Sequence, residues 1–140
     1  LPMSNEAFRR KVAELVAADP RFAKAAYFFV ADAVTFTTKK VRDTSPEAGK
    51  HISGRQLLDG IREYALEQFG PLALDVLDDW GVRRTEDFGA IVFKMVENQL
   101  LGASEDDSPA DFVNVYDFRE AFIRPFAPTA GPVRPLPKIE

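Results

Sequence analysis

Residues 81–102 read GVRRTEDFGAIVFKMVENQLLG, a glycine turn followed by one strongly amphipathic segment. Thr85 stands where an N-cap belongs, and Gly102 marks the stop. Phe88, Ile91, Val92, Met95 and Gln99 recur at helical spacing on one side, with Phe93 and Val96 on a flank. That periodicity predicts a helix that closes a core and leaves Glu86, Asp87, Ala90, Lys94 and Glu97 facing out. Upstream, Gly70 ends one helix and Pro71 opens a short one. In it Leu72, Val76 and Leu77 face in, Asp75, Asp78 and Asp79 face out, and Gly81 closes it. Gly70–Gly102 therefore has the lengths of a helix-turn-helix. Residues 112–118, FVNVYDF, read either as a short strand pairing back on Gln99–Leu101, a wing, or as an irregular lead into a last helix over Phe118–Ile123.

Charge decides what this segment can approach. The chain of 140 residues carries a net charge of -4, unevenly spread. Residues 1–70 hold 11 basic and 9 acidic side chains, 71–120 hold 4 and 12, and 121–140 hold 3 and 1. The helix-turn-helix-like part is thus the acidic part. A DNA-reading helix sets its N-terminal residues beside phosphates, and here those are Glu86 and Asp87. Such a segment is repelled by the backbone and lacks the cations whose counterion release drives binding. The plainer expectation is that Glu86 and Asp87 complement their helix dipole.

Outward from this stretch, Ser4 or Asn5 caps a first helix to about Ala18, with Phe8, Val12, Leu15 and Val16 on one face. Lys24–Val41 is apolar on two sides. Tyr27, Val30, Ala31 and Val34 form one stripe, and Ala26, Phe29, Ala33 and Phe36 another, the pattern of a central bundle helix. Arg42–Lys50 reads as a loop. Ser53 with Gln56 is a capping box, and Leu57, Leu58, Ile61, Tyr64 and Ala65 line the face of the helix it starts. SEDDSPAD, residues 104–111, reads as an acidic loop. From Pro125, PFAPTAGPVRPLPKIE places five prolines in thirteen residues, which favours polyproline II.

Composition excludes several chemistries. There is no cysteine, hence no disulfide, thiol nucleophile or cysteine-ligated metal. No apolar run nears the ~20 residues of a membrane span, and Leu1–Ser4 opens no signal-peptide pattern. Phosphate-binding glycine loops and HExxH are absent.

From His51 to about Phe122 the chain resembles an uncharacterised conserved hypothetical bacterial family largely restricted to Planctomycetes and Verrucomicrobia. The resemblance rests on HISGRQLLDGIREYALEQFGP, LDDWGVRRTEDFGAIVF and DFVNVYDFREAF. It covers about half of the chain and implies no activity, ligand or catalytic residue.

Few residues qualify as a site. Arg83 and Arg84 beside Trp80, with Lys94 on the following helix, are candidates for partner binding, since arginine next to an aromatic recurs in interface hot spots. The alternative is pairing with Asp78, Asp79, Glu86 or Asp87. His51, the one histidine, is a weak candidate for acid–base chemistry, set against a loop histidine bonded to backbone. Glu105, Asp106, Asp107 and Asp111 lack the ligand alternation and glycine of a calcium loop. PVRPLP has the spacing of peptides that dock in aromatic grooves.

The expected architecture is mostly α: a compact single-domain helical bundle over 1–124, with a winged-helix-like arrangement as its sharper form, and an extended Pro-rich tail over 125–140. The expected role is a non-enzymatic protein-interaction or adaptor module of the cytoplasm, needing no cofactor or metal and engaging a protein or a second copy rather than nucleic acid or membrane. The alternative is a DNA-binding regulator using the Arg83–Arg84 turn and the basic residues Arg9, Arg10, Lys11, Lys39, Lys40 and Arg42. A small hydrolase or ligand-binding enzyme ranks third.

Overall fold

A computed structural model describes residues 4–48, 51–102 and 107–128. Among these the chain is mostly helical and contains no strand, so residues 113–117 take the irregular form and no wing is built from them. The tail from 129 onward, most of the proline-rich segment, lies outside the described residues.

Helix α1 (Asn5–Ala18) starts at Ser4, whose hydroxyl accepts from the Ala7 amide. Helix α2 (Lys24–Thr44) runs three residues beyond the expected end and buries Tyr27, Phe29, Val30 and Ala33. It packs on α1, on α3 (Gly54–Phe69) and on α5 (Thr85–Glu97), which makes it the central helix. The α3 capping box is formed: Ser53 Oγ accepts from the Gln56 amide at 3.1 Å, and Gln56 Oε1 accepts from the Ser53 amide at 2.8 Å. The α2–α3 interface is close because Gly60 has no side chain. A Cβ there would stand 1.8 Å from Thr37 Oγ1, and that hydroxyl is held in place by donating to the Ala33 carbonyl.

A 3-10 turn at Gly70–Leu72 joins α3 to α4 (Ala73–Asp79). Leu77 is buried as expected, but Leu72 is 62% exposed. It belongs to that turn rather than to the amphipathic face of α4, so helical spacing does not apply to it. Gly81 has φ +87 and lies against the α1–α2 loop. A Cβ there would meet the Arg21 carbonyl oxygen at 2.6 Å, while the Ala23 amide donates to the Trp80 carbonyl.

Helix α5 departs from expectation at both ends. Thr85 is its first helical residue, not its cap; Arg84 holds the cap position with no side-chain bond. Thr85 is fully buried, and its hydroxyl donates to the Phe112 carbonyl at 2.7 Å and accepts from the Val115 amide at 3.1 Å. The helix stops at Glu97, five residues before Gly102. Gln99 takes φ 64 and points to solvent, and the Leu100 amide closes back on the Met95 carbonyl. Residues on both sides of a left-handed position no longer share a face, so the inward stripe ends at Met95.

The last part, a 3-10 turn at Pro109–Phe112 and α6 (Phe118–Phe122), wraps across α3, α4 and α5. Phe118 packs on Phe88 with ring centroids 5.6 Å apart, and the Tyr116 hydroxyl donates to the Leu58 carbonyl at 2.9 Å. Burial pushes the Tyr116 hydroxyl well above its ordinary pKa, which keeps it a donor. Among the described residues no helix is long and apolar enough to cross a membrane.

Candidate functional site

The α4–α5 turn carries most of the side chains singled out from the sequence, and each is tied into the fold. Trp80 is half-buried in an aromatic group, 5.6 Å from Phe29 and from Phe69 between ring centroids. Arg83 Nε donates to Asp78 Oδ1 at 2.7 Å. Arg84 Nε lies 3.9 Å from Asp87 Oδ1. Lys94 pairs with Asp19, and this hydrogen bond, with the Arg21 backbone amide second, holds the Asp19 carboxyl below its ordinary value.

Asp87 corrects the outward-facing assignment. It is 5% exposed, accepts from Arg21 Nη2 at 2.7 Å and takes the Arg83 amide on its other oxygen at 2.9 Å. The Arg21 guanidinium also lies over the Phe22 ring, 4.6 Å from its centroid. A buried carboxylate needs such partners, because desolvation otherwise favours its neutral form. Glu86 remains half-exposed, its carboxyl lowered by hydrogen bonds from backbone amides, its own first and that of Asn114 after it.

His51 lies elsewhere. It sits at the lip of a groove of about 440 Å³, with Nε2 3.6 Å from Asp107 Oδ1. One wall is α2 through Val34 and Thr38, and a second is the start of α3 through Leu57. Val92, Phe93 and Val96 of α5 form the third, closed by Phe112. Phe93 is half-exposed and Phe112 buried, and their rings meet edge to face, centroids 5.7 Å apart and planes at 90°. Phe112 reaches this position because Gly89 has no side chain; a Cβ there would stand 2.7 Å from that of Phe112. The lining is mainly apolar, with Ser53, His51 and Asp107 at one side.

Of the residues weighed from the sequence, His51 and Asp107 reach this groove; Trp80, Arg83, Arg84 and Lys94 do not line it. The groove residues themselves were missed. Their trace in the sequence is the flank of Phe93 and Val96, apolar but off the main stripe of α5, an apolar surface left over once the core is filled. Among the described residues no group of three or more histidine, aspartate or glutamate side chains is placed to hold a metal. No family model, curated protein or solved structure matches the chain.

Proposed function

We propose that this domain is a non-enzymatic, cytoplasmic protein-interaction module whose groove receives an extended, proline-rich peptide bearing basic side chains. The observation that carries this reading is an aromatic floor, in which the half-exposed Phe93 ring rests edge to face on the buried Phe112, beside Asp107 at one side of the groove. Polyproline II segments dock on aromatic surfaces, where they lose little entropy because they are already extended. A cation on the peptide would share the Asp107 carboxylate with His51, whose Nε2 stands 3.6 Å from Asp107 Oδ1. Duplex DNA is the weaker reading: Arg83 is engaged by Asp78, and Arg21 and Arg84 face the Asp87 carboxylate.

The test measures peptides with an apolar residue at every third position and Arg or Lys between, by fluorescence anisotropy. Two variants disrupt the groove: Val96→Asp on α5 and Thr38→Arg on α2. Binding that falls about tenfold or more in Thr38→Arg, with an unchanged melting temperature, supports the reading. Peptide binding that survives both substitutions, or no binding to the native chain by any such peptide, overturns it.

A further inference from the structure

We propose that the α2–α3 seam is a second docking surface, independent of the groove, whose partner is a protein helix presenting arginine among aliphatic side chains. Five aromatic rings run in contact from this seam to the end of α4. Phe36 meets Tyr64 at 5.1 Å between centroids, and Tyr64 meets Phe29 at 5.4 Å. Phe29 in turn meets Phe69 at 5.5 Å and Trp80 at 5.6 Å. Phe29 is buried, and the other four rings are half-exposed. Core packing accounts for Phe29 but leaves a run of partly solvated rings around it. A continuous apolar surface rimmed by charge is the form an interaction site takes. None of these rings lines the groove.

The rim sets the partner's charge. Asp32 stands one turn from Phe29 and from Phe36 on α2, and Glu67 one turn from Tyr64 on α3. Both are exposed, and no cation among the described residues pairs with either. The neighbouring acid Glu63 differs, being paired with Lys40. Burial first, then the Asp32 and Glu67 carboxylates, raise the Tyr64 hydroxyl above its ordinary pKa, which puts both charges near that ring. A cation arriving at Tyr64 thus meets two carboxylates and a ring face together. Arginine suits this place better than lysine, because its planar guanidinium stacks on a ring while its N–H fork reaches a carboxylate. Two packed helices offer a third a shallow furrow, faced by its residues at i, i+4 and i+7. Aliphatic side chains one turn to either side of the arginine cover the neighbouring rings. Nucleic acid and anionic lipid are repelled by the same two carboxylates.

Trp80, the one tryptophan of the chain, reports directly on docking. The probe is a synthetic amphipathic helix with leucine on one face and arginine at its centre, titrated into the protein while Trp80 emission is followed. Binding should shift the emission to the blue and shield the indole from acrylamide. Asp32→Asn combined with Glu67→Gln removes only charge from exposed positions. It should weaken binding about tenfold or more at an unchanged melting temperature. Phe36→Ser should also weaken it, whereas Thr38→Arg, which blocks the groove, should leave it intact. No binding, or binding that survives the Asp32→Asn, Glu67→Gln pair, overturns the proposal. Binding lost in Thr38→Arg but kept in Phe36→Ser places the helix in the groove and overturns it too. An emission shift that grows with protein concentration without peptide, matched by a dimer in sedimentation, assigns the face to a second copy and overturns the partner named here. Equal binding of a peptide with lysine in place of arginine overturns the choice of guanidinium.

Discussion

Arg21 and Asp87 are joined by a 2.7 Å hydrogen bond across 66 residues of sequence, and the bond fastens the α1–α2 loop to the start of α5. Asp87 is buried, whereas the Arg21 side chain is half exposed, so the two ends of the pair respond differently to mutation. Asp87→Ala removes the acceptor of a charged donor and of the Arg83 amide. It should lower stability by about 1.5–3 kcal/mol, the range for hydrogen bonds to charged groups. Arg84→Ala removes an exposed guanidinium 3.9 Å away and should change stability by less than about 0.5 kcal/mol. Urea denaturation of the two variants checks the contrast; equal losses would mean that Asp87 is not the anchor.

Gly60 sets two effects against each other. Replacing a mid-helix glycine by alanine gains about 1 kcal/mol of helix propensity. Here the new methyl would stand 1.8 Å from Thr37 Oγ1, whose hydroxyl is fixed on the Ala33 carbonyl. Forcing α2 and α3 apart costs about 1–3 kcal/mol, so Gly60→Ala should be destabilising on balance. Thr37→Ala combined with Gly60→Ala should recover part of the loss, giving a coupling of about 0.5 kcal/mol or more in a double-mutant cycle. A stabilised Gly60→Ala would show that the helices are not in contact there.

Much of this architecture could be read from local signals. The Ser53–Gln56 capping box and the turn glycine at Gly81 are spacing and backbone rules confined to a few residues, and both hold. Asp87 could not be read in that way. An acid in the first turn of a helix has a sufficient local reason in the dipole, and its true partner, Arg21, lies in a distant loop. Gln99 fails for a related reason: periodicity carries no information on where a helix stops unless a glycine or proline says so, and here a glutamine takes the left-handed position. The groove was half legible. Phe93 and Val96 were visible as a surplus flank, but Phe112 reaches them only through the gap left by Gly89, a tertiary fact.

Tyr27 is fully buried, and its hydroxyl has no hydrogen-bond partner among the described residues. Burial raises its pKa above the ordinary value of 10.0, so it stays neutral through the physiological range. An unsatisfied buried hydroxyl costs about 1–3 kcal/mol, and removing it leaves the ring packing intact. Tyr27→Phe should therefore be neutral or stabilising by up to about 1 kcal/mol, read as a rise in the urea midpoint. A loss above about 1 kcal/mol would place a bound partner, such as a water, on that oxygen.

The pairing of Asp19 with Lys94 predicts an acid-sensitive contribution to stability. The Asp19 carboxyl lies below its ordinary value of 3.8 in the folded chain, first because Lys94 hydrogen-bonds to it. A depressed carboxylate stabilises the fold fully above its unfolded pKa, and that contribution is lost as pH falls through the folded value. The wild-type advantage over Lys94→Met should therefore hold at neutral pH and shrink below about pH 3.8. An advantage that is the same at pH 6 and pH 3 would remove the pair as its source.

Thr85 links stability to the groove. Its hydroxyl donates to the Phe112 carbonyl and accepts from the Val115 amide, so one oxygen holds the segment that brings Phe112 onto Phe93. Thr85→Val keeps the shape and removes both bonds, leaving two backbone groups without this partner. The expected loss is about 1–3 kcal/mol, more than a surface change gives. Because Phe112 closes the groove, the same substitution should loosen its floor. Aromatic proton shifts of Phe93 and Phe112 should move toward unstacked values, and proline-rich peptide affinity should fall even where the chain remains folded. Serine at this position retains the hydroxyl and should restore both readouts. Peptide affinity that stays unchanged in Thr85→Val while the ring shifts move would show that the Phe93–Phe112 floor does not contribute to binding.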